Sequence, residues 1–151
     1  MAAHFALRKD PALVCMPTGS GKTLVMLMCP YALECRRALV ITPSTILRGQ
    51  IAENCQEATE LRAKHVLPED VDHPVVHEVR RRVASAADWD ALRDADIVVA
   101  TPHTVSPLYE GVPPLPSDLF DVVLVDEAHH EAASGWREVL DSLPNAKRVL
   151  F

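Results

Sequence analysis

Short apolar runs alternate with longer mixed segments along this chain. Each run is rich in Val, Leu, Ile and Ala and shows no regular exchange of apolar and polar positions, which favours strands buried on both faces of a parallel sheet. Strands are predicted near residues 12–16, 38–42, 97–100, 120–125 and 147–151, and helices at 22–29, 44–63, 88–94 and 135–142. This alternation of strand and helix predicts an α/β domain with a mostly parallel central sheet.

Three segments fit the pattern less simply. Residues 64–87 hold a candidate strand around Val75 and Val76, ahead of a short helix. Residues 106–119 contain four prolines and are expected to form a surface loop before the next strand. Pro30 is expected to end or kink the first helix, because proline lacks the amide donor and clashes with the preceding turn.

The first predicted strand leads into Met16-Pro17-Thr18-Gly19-Ser20-Gly21-Lys22-Thr23, a candidate phosphate-binding loop. Gly19 and Gly21 allow successive amides to turn inward around a phosphate, and the following helix adds its positive N-terminal end. Lys22 is predicted to reach the β- and γ-phosphates of ATP, and the Thr23 hydroxyl to bind Mg²⁺. The general pattern has glycine where this chain has Met16, and a Gly/Ser-rich turn without a ligand is the alternative reading.

The strand predicted at 120–125 delivers Asp126 and Glu127 at its carboxyl end, where ligands of open parallel sheets collect. Asp126 suits the Mg²⁺ shell, since this ion prefers oxygen ligands. Glu127 is predicted to orient the water that attacks the γ-phosphate. The alternative is that these acidic residues only start a loop or cap a helix. The order of the two motifs favours an ATP site with Lys22, Asp126 and Glu127 as its catalytic residues.

With these motifs the chain resembles the first RecA-like motor domain of superfamily 2 helicases and translocases, whose phosphate loop often reads P-T-G-S-G-K-T and whose second motif reads D-E-A-H. The resemblance implies a three-layer P-loop NTPase fold and an ATP-dependent helicase or translocase. It also implies a nucleotide-binding set of Thr18, Gly19, Ser20, Gly21, Lys22, Thr23, Asp126 and His129. With the second histidine, His130, the motif reads D-E-A-H-H, which resembles the sequence in the motor subunits of type I and type III restriction enzymes. This resemblance favours DNA over RNA as the partner.

Two weaker matches lie between these motifs. The segment from Val40 to Gln50 resembles motif Ia of the family, and that from Val99 to Thr104 resembles motif Ib. In the family both lie along the nucleic-acid track, which implies contacts from Pro43, Ser44, Thr45, Gln50, Thr101, Pro102 and Thr104. Hydroxyls and free helix amides bind backbone phosphates without reading bases. For any single residue, ordinary helix capping is an equally open reading, but the two motifs together favour the nucleic-acid track.

Composition sets limits on this picture. The net charge of −6 argues against a wholly basic nucleic-acid binder, although a local track needs only local positive charge. The basic clusters 36–37 and 80–82 are expected to be solvated faces or interdomain contacts, and a DNA-binding patch is the alternative for each. The four cysteines show no paired spacing, which predicts reduced thiols in a cytoplasmic protein. No apolar run approaches the roughly 20 residues of a membrane span, so no membrane partner is expected.

The ends of the chain carry a last expectation. Residues 1–151 are expected to be most of a first motor domain, cut at both ends, whose partner is a second RecA-like motor domain in cis or in trans. By resemblance, that second domain supplies arginine fingers, which contribute about 10³–10⁵ in rate. The domain alone is therefore expected to hydrolyse ATP weakly. A stand-alone nucleotide-binding or interaction module with negligible ATPase activity is the alternative function.

Overall fold

The computed structural model describes residues 1–17, 20–65, 72–128 and 134–151. The described strands form one parallel sheet in the order β1-β6-β5-β2-β4-β3. Their bounds are β1 Ala12–Leu13, β2 Ala38–Ile41, β3 Val76–Glu78, β4 Ile97–Ala100, β5 Val122–Val125 and β6 Lys147–Leu150. The helices are α1 Ala2–Leu7, α2 Lys22–Ala32, α3 Thr45–Glu57, α4 Thr59–Ala63, α5 Ala86–Ala91, α6 Pro102–Val105 and α7 Ser134–Ser142, with a 3-10 turn at Leu92–Asp94. None of these helices is long and apolar enough to cross a membrane.

Two hydrophobic cores lie on opposite faces of the sheet. Successive strand residues point to opposite faces, so in β2 Ala38 and Val40 belong to one core while Leu39 and Ile41 belong to the other. Helices α2, α3 and α4 cover the first face, and α5, α6 and α7 cover the second. The prediction of a three-layer α/β fold is confirmed. The sequence predicted a mostly parallel sheet, and every described strand pairing is parallel.

Two predicted helices have different bounds. The first does not end at Pro30, because α2 continues to Ala32; the missing amide donor falls in the last turn, and Pro30 is itself buried. The helix predicted at 44–63 is two helices, α3 and α4, separated at Ala58. The φ angle of Ala58 is +48°, a left-handed conformation that stops α3, and the turn lets Leu61 of α4 reach the core.

The remaining predictions need smaller corrections. β1 is shorter than the predicted run because its partner β6 ends at Leu150, whose carbonyl accepts the last bond from the Val14 amide at 2.8 Å. The candidate strand near Val75 is β3, at one edge of the sheet. The helix predicted at 88–94 begins earlier, as α5, because Ser85 and Asp88 cap each other. Helix α1 was not predicted.

The proline-rich segment 106–119 is more than a surface loop. It contains no helix or strand, but Val112, Leu115 and Leu119 are buried in the core on the α5–α7 face. Its apolar residues therefore close the second face where the helices leave it open.

The amino ends of the strands are held together by Arg37, which is only 8% exposed. Its Nε and Nη1 atoms donate to the carbonyl oxygens of Leu119 and Arg93, each at 2.6 Å. The Asp121 carboxylate accepts from the backbone amides of Arg36 and Arg37, both at 2.9 Å. Of the first basic cluster, Arg37 is therefore a structural cation at the edge opposite the predicted site, and not a solvated one.

Candidate functional site

The carboxyl ends of all described strands meet at one edge of the sheet because every described pairing is parallel. A cavity of about 1390 Å³ opens along this edge. Its wall includes Lys22 and Thr23 from α2, and Asp126 and Glu127 directly after β5. The two motifs that the sequence separates by about a hundred residues thus face one space.

The central contact of this cavity is a lysine between two carboxylates. Lys22 Nζ lies 2.9 Å from Asp126 Oδ1 and 2.9 Å from Glu127 Oε1. Burial lowers the pKa of Lys22, but the hydrogen bonds that its ammonium group donates to Glu127 and Asp126 outweigh this effect, so the pKa lies above its ordinary value of 10.5. Lys22 is therefore fully charged at neutral pH and already has an anionic partner.

Gly21 places Lys22 at the start of α2. Its φ angle of +90° is one that side chains rarely adopt, and its carbonyl accepts the amide of Val25 at 3.1 Å. Before it, the Ser20 hydroxyl donates to the Pro17 carbonyl at 2.6 Å. The predicted ligands Thr18 and Gly19 lie outside the described residues.

The acidic pair is positioned by the ends of neighbouring strands. The Asp126 amide donates to the Ile41 carbonyl of β2 at 2.9 Å, and Asp126 is only 4% exposed. Glu127 has a φ angle of +56°, unusual for a residue with a side chain. The amide of Ala128 then donates to the Phe151 carbonyl at 2.7 Å, which fixes the chain on both sides of that turn. His129 lies outside the described residues.

The donor atoms at this site fit a hard cation. Thr23 and Asp126 line the same cavity. Hydroxyl and carboxylate groups supply oxygen, the ligand type that Mg²⁺ prefers. Within the described ranges, no group of three or more His, Cys, Asp or Glu side chains is placed to hold a metal ion. Magnesium would therefore need water and phosphate oxygens to complete its shell, which is its usual manner of binding.

Around motif Ia the predicted track residues differ in their surroundings. Ser44 is the N-cap of α3, and its hydroxyl accepts the Leu47 amide at 3.3 Å, while Pro43 beside it is half-buried. Thr45 is exposed. Gln50 lines the cavity that also contains the lysine and the carboxylates. Ser44 thus has a capping role, and the nucleic-acid contacts of these residues stay predictions.

Around motif Ib the hydroxyls are turned inward. Thr101, Pro102 and Thr104 are all buried, and Thr101 and Thr104 are 4% and 9% exposed. The Thr104 hydroxyl donates to the Thr101 carbonyl at 2.8 Å, and it accepts the Thr101 amide at 3.3 Å. These residues fix the turn between β4 and α6, and their contact with nucleic acid stays a prediction.

The second basic cluster lies beside this turn. The segment that follows β3 runs along the end of β4, with the Val79 amide bonded to the Val99 carbonyl and the Val83 amide to the Thr104 carbonyl. Arg80, Arg81 and Arg82 are exposed on it. Parallel register therefore brings this cluster to the same edge as motifs Ia and Ib, which its place in the sequence did not indicate.

Two side-chain groups at this edge were not predicted. Glu78 bridges Arg48 of α3 at 2.9 Å and Arg80 at 2.7 Å. The rings of His103 and Tyr109 are stacked, with centroids 4.7 Å apart. The only sequence signal for the stack is an aromatic residue soon after motif Ib, and the pairing itself depends on the fold.

This fold, with the lysine and acidic pair at one sheet edge, defines a first RecA-like motor domain of superfamily 2, as predicted. The family model described as "Type III restriction enzyme, res subunit" matches residues 1–151. The chain belongs to this family, and the predicted link to restriction-enzyme motor subunits is confirmed. No curated protein matches the sequence.

Solved helicase structures share the fold. A hypothetical ATP-dependent RNA helicase from Sulfolobus tokodaii is 28% identical, with a TM-score of 0.60, over 96% of this chain and 41% of that one. The Hef helicase domain from Pyrococcus furiosus is 23% identical, with a TM-score of 0.59, over 94% of this chain and 29% of that one. Dbp5 from S. cerevisiae, in a complex that contains ADP, is 19% identical, with a TM-score of 0.61, over 99% of this chain and 40% of that one. The chain thus spans less than half the length of each of these proteins.

Proposed function

We propose that this domain binds ATP with Mg²⁺ and couples its hydrolysis to movement along nucleic acid or to nucleic-acid remodelling. The observation that carries the proposal is the contact of Lys22 with Asp126 and Glu127, at 2.9 Å each, in a large cavity at the carboxyl edge of a parallel sheet. A cation beside two carboxylates at this edge provides the charges that a bound nucleotide and its metal ion require.

Each residue has a proposed role in this site. Lys22 exchanges its carboxylate partners for the β- and γ-phosphates, while Thr23 and Asp126 hold Mg²⁺, which neutralises phosphate charge when bound. Glu127 orients the attacking water. The backbone of residues 18–21 surrounds the phosphates, and His129 couples the nucleotide to a neighbouring domain. Because Lys22 is already paired, nucleotide binding has to break that pairing first.

We propose DNA rather than RNA as the polymer, on the strength of the restriction-enzyme family. The similar protein from Sulfolobus tokodaii is described as an RNA helicase, so both polymers belong in the test. We further propose that residues 1–151 act with a second RecA-like motor domain, in cis or in trans. The proposal is supported by the solved helicases, of which this chain spans 29% to 41%.

The test begins with nucleotide binding and then measures turnover. We expect the domain to bind a fluorescent ATP analogue with Mg²⁺, and Lys22→Ala to remove that binding. Lys9→Ala, at an exposed lysine outside the cavity, is the matched control. If Lys22→Ala bound the analogue as tightly as the unchanged domain, the nucleotide site would be refuted.

Turnover is then measured with single- and double-stranded DNA and RNA. We expect slow hydrolysis that DNA stimulates and that Glu127→Gln abolishes. Binding without turnover under every condition would favour the alternative of a nucleotide-binding module. Equal turnover in Glu127→Gln and the unchanged domain would refute the role of Glu127.

A further inference from the structure

We propose that the exposed ring of His103, supported by Tyr109 and Arg82, stacks on an unpaired nucleobase. The three residues are called the 103–109 platform below. The inference rests on the proposed function, because it assigns a base contact to a nucleic-acid-binding domain. It goes beyond the family resemblance, which implies phosphate contacts at this edge and no base contact.

The platform is built from three planar groups. The rings of His103 and Tyr109 lie 4.7 Å apart at an interplanar angle of 30°, and Arg82 Cζ lies 5.7 Å from the Tyr109 ring centroid. Tyr109 is half-buried, whereas His103 is exposed. The Tyr109 ring lies beside His103 in a tilted arrangement, and the exposed part of His103 is available to another flat π-system.

Backbone contacts hold the group in place. Arg82 Nε donates to the His103 carbonyl at 3.3 Å, and Arg82 Nη1 donates to the Glu110 carbonyl at 3.1 Å. Tyr109 packs against Gly135 of α7 so closely that an added Cβ would lie 3.0 Å from the phenol oxygen. The supporting ring therefore has little freedom, which lowers the entropic cost of stacking a ligand on its neighbour.

The position favours nucleic acid as the ligand. His103 lies on α6 at the carboxyl end of β4, next to the buried turn of motif Ib. The segment with Arg80, Arg81 and Arg82 runs beside it and exposes positive charge. Aromatic rings next to arginines are the means by which proteins hold single strands without reading sequence.

The 103–109 platform should bind single-stranded nucleic acid in preference to a duplex. The faces of bases inside a duplex are covered by their neighbours, so only an unpaired base can stack on His103. The expected ligand is a single strand, with tolerance for sequence because every base has a π-face. Phosphate contacts alone give no such difference between a strand with bases and the same backbone without them.

The experiment measures the affinity of the full chain for three probes by fluorescence anisotropy. The probes are a pyrimidine strand of about 12 nucleotides, an abasic strand of equal length, and the corresponding duplex. The variants are His103→Ala, His103→Phe and the control His73→Ala. The control removes an exposed histidine that precedes β3 and therefore lies toward the amino ends of the strands, away from His103. Thermal melts of each variant check that the fold is kept.

We expect His103→Ala to weaken binding of the pyrimidine strand by about 5- to 150-fold and to leave the abasic strand and the duplex unchanged. His103→Phe should retain the affinity, since it keeps a flat ring. An unchanged affinity in His103→Ala, or an equal loss for the abasic strand, would overturn the platform while leaving the proposed function intact. Failure of the unchanged chain to bind any of the probes would overturn both.

Discussion

Replacing Glu127 by glutamine should tighten nucleotide binding, although the same change is expected to stop hydrolysis. In the structure the Glu127 carboxylate lies 2.9 Å from Lys22 Nζ. Under the proposed function it would compete with phosphate for that ammonium group. Glutamine keeps the size of the side chain and removes its charge. Lys22 would then be held by Asp126 alone, and less free energy would be needed to release it.

The size of the gain follows from distance and exposure. Two unit charges 2.9 Å apart attract by about 1.4 kcal/mol in bulk water and by several times more in a protein interior. The Lys22 and Glu127 side chains are 26% and 41% exposed, so solvent screens the pair. The range of about 0.2–1 kcal/mol for exposed pairs therefore applies, which corresponds to a 1.4- to 5-fold increase in affinity.

The assay is a titration with a fluorescent ATP analogue, with and without Mg²⁺. Glu138→Gln, at an exposed glutamate on α7, controls for the loss of one negative charge. The reasoning would be refuted if Glu127→Gln bound no more tightly than the unchanged domain, or if Glu138→Gln gained as much affinity as Glu127→Gln.

The pH dependence of this gain has a defined sign. Because the pKa of Lys22 is raised above 10.5, its pairing is fully present below that value and is lost only as pH rises through the raised pKa. The effect of Glu127→Gln should therefore be constant between about pH 6 and pH 9. A gain that disappeared within this window would show that another group is responsible.

Three further predictions concern stability. Glu78→Ala should cost about 2 kcal/mol and lower Tm by about 4–8 °C, since it leaves the buried Arg48 without its partner. Burial raises the pKa of Glu78, but the hydrogen bonds donated by Arg80 and Arg48 together have the larger effect, so the pKa lies below 4.5. The stabilisation by Glu78 is therefore present above pH 4.5 and is lost as pH falls through the lowered pKa. Thermal melts in acid check this dependence. Leu124→Ala, at 1% exposure, should cost about 2–5 kcal/mol in urea unfolding. Arg37→Met should cost about 1–3 kcal/mol, because the carbonyl oxygens of Leu119 and Arg93 lose their donor.

Each stability prediction has a result that contradicts it. The Glu78 bridge is unimportant if Glu78→Ala and Glu53→Ala, at an exposed position, melt alike. An unfolding free energy unchanged by Leu124→Ala would mean that the core on this face is not packed as described. Equal stability of Arg37→Met and Arg36→Met would show that the carbonyl contacts of Arg37 contribute nothing.

The sequence predicted the strands well because β2, β4 and β5 are buried on both faces and therefore read as unbroken apolar runs. Helix ends were predicted less well. Nothing in the local sequence marks Ala58 as a left-handed residue, since the turn is imposed by the packing of α4. Pro30 shows the reverse case, in which a strong local signal is overruled because the residue lies in the last turn of α2 and is buried.

The site shows the same division. Motif order and strand ends were enough to bring Lys22, Asp126 and Glu127 into one cavity, since parallel strands all end at one edge. The sequence could not show that the Thr104 hydroxyl bonds to its own turn, because motif letters do not specify which way a side chain points. The pairing of His103 with Tyr109 depends on the fold, and an aromatic residue soon after motif Ib is its only sequence signal.

The contacts of Arg37 and Asp121 have a consequence for how the domain responds to force. They join the amino ends of β2, β4 and β5 through hydrogen bonds, whereas the carboxyl ends lead into loops that carry the candidate ligands. The two ends of the strands thus differ: the amino ends are joined by hydrogen bonds, and the carboxyl ends hold the candidate site. Under the proposed function, a load applied by nucleic acid at the carboxyl ends of the strands would be transmitted along β2, β4 and β5 to amino ends that the contacts of Arg37 tie together.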